Sequence, residues 1–179
     1  MNPPMQIPVC GIGYDIHTFA DNRPLFLGGV QIPSSRGLLG HSDADVLCHA
    51  IADAILGSLG ERDIGHHFPN TDPSFRGISS LELLRRVMEI VHRRGARLLN
   101  IDSCVIAEFP KIGPHLSSMR EALGCVLGIP EKRIGIKATT NEGLGSIGRG
   151  EGIAAFATAC LLVPEETGDE CSSGNASRE

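Results

Sequence analysis

The sequence predicts an α/β protein of the α+β two-layer sandwich kind, a mixed β-sheet with helices packed on one face. Two observations carry this expectation. Hydrophobic segments of period 2 and period 3.6 follow one another in the order strands, helix, helix, strand, helix, strand, strand, which sets helices against a sheet. The segments Ile101 to Ile106 and Ile153 to Leu162 carry apolar residues of both parities, so both sheet faces need cover and a second subunit is a reasonable source of it. With 179 residues, 41% of them hydrophobic, the chain fits one compact domain with a substantial core.

Residues 1–8 hold three prolines and read as an extended lead-in to a domain spanning 9–163. Strand signals follow at Val9 to Thr18 and at Pro24 to Leu27, the second closed by Gly28-Gly29. From Asp43 to Leu59, apolar side chains recur at 46, 47, 50, 51, 54, 55 and 59, a helical spacing with Ser42 or Asp43 as N-cap and Gly60 as the stop. Asp63 to Gly77 is rich in Gly, Pro, Asn and Asp and reads as a loop. A second helix runs from about Ser80 to Arg94, with Leu81, Leu84, Val87, Met88 and Val91 on one stripe and Gly95 ending it. Arg97 to Phe109 alternates as a long strand ending at Pro110. A third helix covers His115 to Leu127, and strands at Arg133 to Thr139 and Ile153 to Val163 flank a glycine-rich loop. The acidic, polar stretch 164–179 reads as a disordered tail.

Composition narrows the function classes. A net charge of -5, 4% aromatic residues and no Trp offer neither a basic surface nor a stacking platform for nucleic acid. No apolar run approaches the ~18 residues of a membrane span, and no basic-then-apolar leader opens the chain, so the expected location is cytoplasmic, away from membranes. Six cysteines are scattered without a Cys-x-x-Cys; five sit in apolar contexts that suit small buried thiols, expected to stay reduced.

Asp15 and His17 lie two apart in a predicted strand, so a carboxylate and an imidazole share one face. The run His41-Ser42-Asp43-Ala44-Asp45 leads to His49 on the predicted helix. Two imidazoles and a carboxylate suit Zn²⁺ and leave a coordination position open for a substrate oxygen. The bland alternatives are a polar pair on a half-exposed sheet and a hydrogen-bonded core histidine. Further on, Ala138 to Gly152 combines Thr139, Thr140, Glu142, Arg149 and a series of glycines. Glycines let backbone approach phosphate oxygens, hydroxyls donate to them, and Arg149 can pair with them bidentately. Glu142 offers an oxygen ligand for a Mg²⁺ on a diphosphate. The same pattern also fits a plain flexible connection. Asp63-Ile64-Gly65 and Phe68-Pro69-Asn70-Thr71-Asp72 suit a polyol, as they suit any exposed turn. His66 and His67 read as surface residues, and Pro110-Lys111-Ile112-Gly113-Pro114 as a stiff loop able to recognise a base edge through its main chain.

Taken in order, Gly-Tyr-Asp-Ile-His at 13–17, Leu-Gly-His-Ser-Asp-Ala-Asp-Val at 39–46 with His49, Asp-Ile-Gly-x-x-Phe-Pro-Asn-Thr-Asp at 63–72, Pro-Lys at 110–111, Lys-Ala-Thr-Thr at 137–140 and Gly-Arg-Gly-Glu-Gly-Ile-Ala at 148–154 resemble the 2-C-methyl-D-erythritol 2,4-cyclodiphosphate synthase family from about Val9 to Val163. The resemblance implies a lyase of the non-mevalonate isoprenoid route. In that reaction the 2-phosphate of 4-diphosphocytidyl-2-C-methyl-D-erythritol 2-phosphate attacks the β-phosphorus and expels CMP. It further implies Zn²⁺, or another divalent transition metal, on Asp15, His17 and His49, and Mg²⁺ or Mn²⁺ held in part by Glu142. His41 and Thr140 are expected to stabilise the transition state, with Ser42 touching substrate. Asp63, Ile64, Gly65 and Phe68, Pro69, Asn70, Thr71 and Asp72 are expected to hold the erythritol. Ala107, Pro110, Lys111, Ile112, Gly113 and Thr139 are expected to form the cytidine pocket, with Asn141, Ser146 and Arg149 near the phosphates.

The same likeness implies a homotrimer with sites between subunits and an axial cavity that can take an isoprenoid diphosphate. Asn70 and Ser146 depart from the family pattern, where an aspartate and an aromatic residue are more usual. The alternatives are a non-catalytic trimeric diphosphate-binding protein and a metal-dependent phosphohydrolase.

Overall fold

A computed structural model describes residues 5–69, 71–75 and 77–165; Asn70 and most of the predicted tail lie outside them. In chain order the elements are β1 (Gln6–Asp21), β2 (Leu25–Leu27), β3 (Val30–Ile32), β4 (Arg36–Leu38), α1 (Val46–Ser58), α2 (Ile64–His67), α3 (Ser80–Arg93), β5 (Arg97–Ile106), α4 (Leu116–Leu127), β6 (Ile134–Thr139), α5 (Gly145–Gly148) and β7 (Gly152–Pro164). Five strands form one sheet in the order β4-β1-β7-β5-β6, and β2 pairs with β3 in a separate ribbon. Only β5 and β6 run parallel within the large sheet. Mixed pairing with helices on one side is the predicted class.

Helix α1 lies at the centre of the core because nearly its whole circumference is buried, from Val46 to Leu56. An all-round apolar helix is sequestered between layers rather than laid on a surface. It packs against the β1 face carrying Gly11, Gly13, Asp15 and His17. A Cβ at Gly11 would stand 2.2 Å from the Ala54 carbonyl oxygen, and one at Gly13 would stand 1.9 Å from that of Ala50. The two glycines therefore let strand and helix approach backbone to backbone, which brings a helix side chain within reach of Asp15 and His17. Helix α3 turns Leu84, Val87 and Val91 into the same core, and α4 contributes Met119, Leu123 and Leu127.

The opposite sheet face is open in the single chain. Ile12, Tyr14, Ile16 and Phe156 are exposed there, Ile12 by 70%, and Tyr14 pairs with Phe156 in register with ring centroids 4.6 Å apart. Phe156 belongs to the second parity of apolar residues seen in the sequence of 153–162, and β1 adds Ile12, Tyr14 and Ile16 to the same face.

Some local expectations shift. Strand β1 begins at Gln6, taking in residues read as lead-in, because β7 continues to Pro164 and supplies partners as far as Gln6↔Pro164. Three-residue strands β3 and β4, and single-turn helices α2 and α5, occupy stretches too short to show a period. The cap of α1 is neither Ser42 nor Asp43 but Asp45, whose fully buried carboxylate accepts from the backbone N–H of Cys48 at 3.0 Å, Gly28 at 2.9 Å and Gly29 at 2.6 Å. It ties the β2–β3 turn to the helix start. Of the described cysteines, all free, Cys48 is buried while Cys10 and Cys125 are exposed; strand alternation turns Cys10 onto the open face, against the expectation from its apolar neighbours.

Candidate metal centre and its cavity

Asp15 and His17 project from one face of β1, and His49 meets them from the first turns of α1. Asp15 Oδ2 lies 3.0 Å from His17 Nε2 and 2.9 Å from His49 Nδ1, and the two ring nitrogens are 3.3 Å apart. One ligand atom from each residue falls within 4.8 Å of the others. His17 directs its remaining nitrogen at the Leu39 carbonyl, Nδ1 to oxygen 2.6 Å. A carbonyl only accepts, so His17 keeps a proton on Nδ1; when neutral it turns the Nε2 lone pair to the cluster, and when protonated it donates from Nε2 to Asp15. Two imidazoles and a carboxylate converging in this way fit a divalent metal with room for an exogenous oxygen.

The electrostatics match. Burial by itself pushes the Asp15 carboxyl up, but hydrogen bonds and charge from His17 and His49 in their protonated forms outweigh it and hold the group well below the usual carboxylate range. Burial works to lower His17, and the hydrogen bond and charge of Asp15 prevail and raise it above 6.5. Asp45, a turn before His49, faces away to its capping role and is no part of the cluster.

The triad floors a cavity of about 830 Å³. His41 and Ser42 line one side of it, and Ile64, Gly65, Phe68, Thr71 and Asp72 line another, with Phe75, Ile78 and Leu83 as an apolar wall. Arg23 holds the His41 loop in place by donating to the carbonyls of Gly40 at 2.8 Å and Ser42 at 2.7 Å. Asp63 caps α2 through the His66 N–H at 3.0 Å, and Asp53, raised chiefly by burial, accepts from Ile64 N–H at 2.8 Å. These contacts fix the 63–65 corner at the cavity mouth. His66 is exposed as predicted, whereas His67 is half-buried beside Glu61 at 3.5 Å.

The other predicted site residues lie elsewhere. Thr139 pairs in register with Ile106, Ile106 with Ala154 and Ala154 with Ile16, so Thr139 shares the open sheet face with Ile16 while Asp15 and His17 face α1. Three strand spacings, about 14 Å, also separate β6 from β1. Thr140 Oγ1 donates to Glu142 at 2.9 Å, Glu142 holds a left-handed φ of 50°, and Arg149 Nε donates to Glu151 at 2.6 Å. Asn141 and Ser146 are exposed in the same loop. Glu108 secures that loop by accepting from the N–H groups of Asn141 at 2.9 Å and Gly143 at 3.3 Å. In the adjoining 107–113 segment Ala107 and Ile112 are buried, Lys111 and Gly113 are exposed, and Pro110 follows a cis peptide bond. None of residues 107–113 or 139–149 lines the metal cavity. The predicted site residues of one chain thus fall into two separate groups.

Arg23 and Glu108 escaped the sequence reading. Nothing in their local pattern marks them, since each acts on backbone brought near by the fold.

The YgbB family profile matches residues 9–162. The chain belongs to the YgbB family. Within it, the chain is 60% identical over 162 residues to the 2-C-methyl-D-erythritol 2,4-cyclodiphosphate synthase of Akkermansia muciniphila, covering 90% of this chain and 96% of that protein. It is 57% identical over 151 residues to the synthase of the same name from Symbiobacterium thermophilum, covering 84% and 96%. A solved 2C-methyl-D-erythritol-2,4-cyclodiphosphate synthase in a CDP-bound form superposes with a TM-score of 0.79 at 40% identity, over 85% of this chain and 99% of that one. The bifunctional IspDF of Campylobacter jejuni superposes with a TM-score of 0.86 at 44% identity over 89% of this chain, which spans only 43% of that longer protein. The described YgbB-family fold has no helix long and apolar enough to cross a membrane.

Proposed function

We propose that the protein converts 4-diphosphocytidyl-2-C-methyl-D-erythritol 2-phosphate to 2-C-methyl-D-erythritol 2,4-cyclodiphosphate with release of CMP, as a phosphorus-oxygen lyase of the non-mevalonate isoprenoid route. The observation that carries this reading is the convergence of Asp15, His17 and His49 with His41 and Ser42 in one cavity, in a chain whose relatives bear that synthase's name. Intramolecular attack of one phosphate on another demands alignment of two anions and screening of their charge more than a strong base.

The chain's own groups serve those needs. His41 and Ser42 stand beside the triad as hydrogen-bond donors for phosphate oxygens, and the 63–72 loop positions the erythritol. Thr140 and Arg149 act on the phosphates from the second group, and the 107–113 segment with Thr139 receives the cytidine. When bound, Zn²⁺ at Asp15, His17 and His49, and Mg²⁺ or Mn²⁺ held in part by Glu142, supply charge neutralisation to phosphate oxygens.

The separation of the two residue groups, with Thr139 on the sheet face opposite Asp15 and His17, supports a complete site assembled between subunits. The exposed face carrying Ile12, Tyr14, Ile16 and Phe156 supports a homotrimer in which neighbours cover it. Arg149, which is exposed, would meet an isoprenoid diphosphate in an axial cavity of that trimer. Five free thiols among the described residues fit a cytoplasmic setting.

Incubation of the purified protein with the cytidyl substrate and Mg²⁺ tests the reading. CMP and cyclic diphosphate in equal amounts are expected. Inorganic phosphate as product would identify a phosphohydrolase, and tight binding without CMP release a binding protein.

A further inference from the structure

The nitrogen of His49 that faces away from the triad enters a buried relay. His49 Nε2 lies 3.0 Å from Ser80 Oγ, and the Ser80 hydroxyl is in turn hydrogen-bonded to Asp43 Oδ1. The Ser80 backbone N–H also donates to Asp43, to Oδ2 at 3.0 Å. Ser80 is fully buried and His49 nearly so. Helix α3 is capped by the preceding residue, Ser79, through the Leu81 N–H, which leaves the Ser80 hydroxyl with no capping duty.

Counting protons assigns the direction of each bond. A serine hydroxyl has one proton, and the Asp43 carboxylate can only accept, so Ser80 donates to Asp43. The Ser80 oxygen then has lone pairs alone to offer, and the contact with His49 requires the imidazole to donate from Nε2. A neutral histidine protonated on Nε2 carries its lone pair on Nδ1, the atom 2.9 Å from Asp15 and 3.3 Å from His17 Nε2. Ser42 Oγ, 3.2 Å from the same Nε2, accepts the Ala44 N–H at 3.0 Å. With the Nε2 proton committed to the nearer Ser80, the Ser42 hydroxyl proton is free to turn into the cavity that Ser42 lines.

We propose that Ser80 and Asp43 are positioning residues that hold His49 as its Nε2–H tautomer, so that Nδ1 is presented to a divalent cation while Ser42 keeps its proton for substrate. This rests on the reading of Asp15, His17 and His49 as metal ligands. Partners that orient a metal-bound histidine typically change metal affinity by about 10–100-fold when removed.

The test uses two readouts. Long-range ¹H–¹⁵N NMR of the histidine-labelled, metal-free protein at pH 8 reads the tautomer, and competition against a chromophoric chelator reads Zn²⁺ affinity. The wild type is expected to show His49 protonated on Nε2. Ser80→Ala is expected to lose that single-tautomer signature and to bind Zn²⁺ about 10–100-fold more weakly, with Ser80→Thr restoring both. Wild-type His49 protonated on Nδ1 overturns the proposal whether or not Ser80→Ala folds, as does folded Ser80→Ala with wild-type tautomer and affinity. A wild type that binds no divalent metal refutes the metal reading instead, and leaves the tautomer result standing by itself.

Discussion

His49 Nδ1 lies 2.9 Å from Asp15 Oδ2, a contact that joins the first turns of a helix to the middle of a strand across 34 residues of sequence. It exists because β1 and α1 touch through glycine. The strand residue two before Asp15 has no side chain, so the helix backbone fits into the space a Cβ would take.

Gly13→Ala is therefore expected to damage the metal centre without altering any ligand. The added methyl would meet the Ala50 carbonyl oxygen at 1.9 Å, and backbone on both sides must separate to admit it. Overpacking of this kind costs about 3 kcal/mol. Urea denaturation should show a lower midpoint with unchanged slope, and Zn²⁺ affinity should fall in the folded fraction. An unchanged affinity would mean that the close approach is not what sets the ligand spacing.

Stability of the metal-free protein should depend on pH through the Asp15–His17 pair. His17 is raised above 6.5 when folded, so its contribution is fully present below 6.5 and is lost as pH rises through the raised value. Asp15 is depressed when folded, so its contribution is present above 3.8 and is lost only as pH falls through the lowered value. Thermal melts in chelator should show the pair's largest contribution between these limits and a decline toward pH 9, and Asp15→Asn should flatten that decline. Zn²⁺ affinity should run the other way, strengthening as His17 loses its proton. Equal pH slopes in wild type and Asp15→Asn would contradict the pairing.

Much of the fold was legible because long elements carry their own period. The α3 stripe and the alternation of β5 needed no tertiary information. Single-turn α2 and α5 and the short β3 and β4 did not show, since three or four residues hold no period and their stability comes from neighbours. The cap of α1 lies two residues past Asp43 and three past Ser42, because three side chains able to cap, those of Ser42, Asp43 and Asp45, crowd one loop. Ala44, at a left-handed φ of 59°, turns the chain between the last two. There Asp45 takes the helix, while Asp43 reaches to α3. At the site, the triad could be anticipated from side-chain type and spacing. Ser80 could not, because a serine at a helix start reads as a capping residue until its partner across the fold is seen.

Subunit mixing should reveal that the two residue groups of one complete site belong to different chains. His49→Ala and Thr140→Ala proteins are each expected to be inactive, and reassembly of the two together should restore roughly a quarter of the sites, those that take His49 from one subunit and Thr140 from its neighbour. CMP release after joint refolding measures this. No recovery from a verified hybrid trimer would place the whole site within one chain.

The most direct measurement of the account compares CMP and cyclic diphosphate formation by wild type and His49→Ala, with zinc content determined on the same samples. Loss of the cation and at least about a 100-fold fall in rate are expected together, with far-UV circular dichroism unchanged. A zinc-free His49→Ala protein that forms both products at the wild-type rate would contradict the role given to Asp15, His17 and His49.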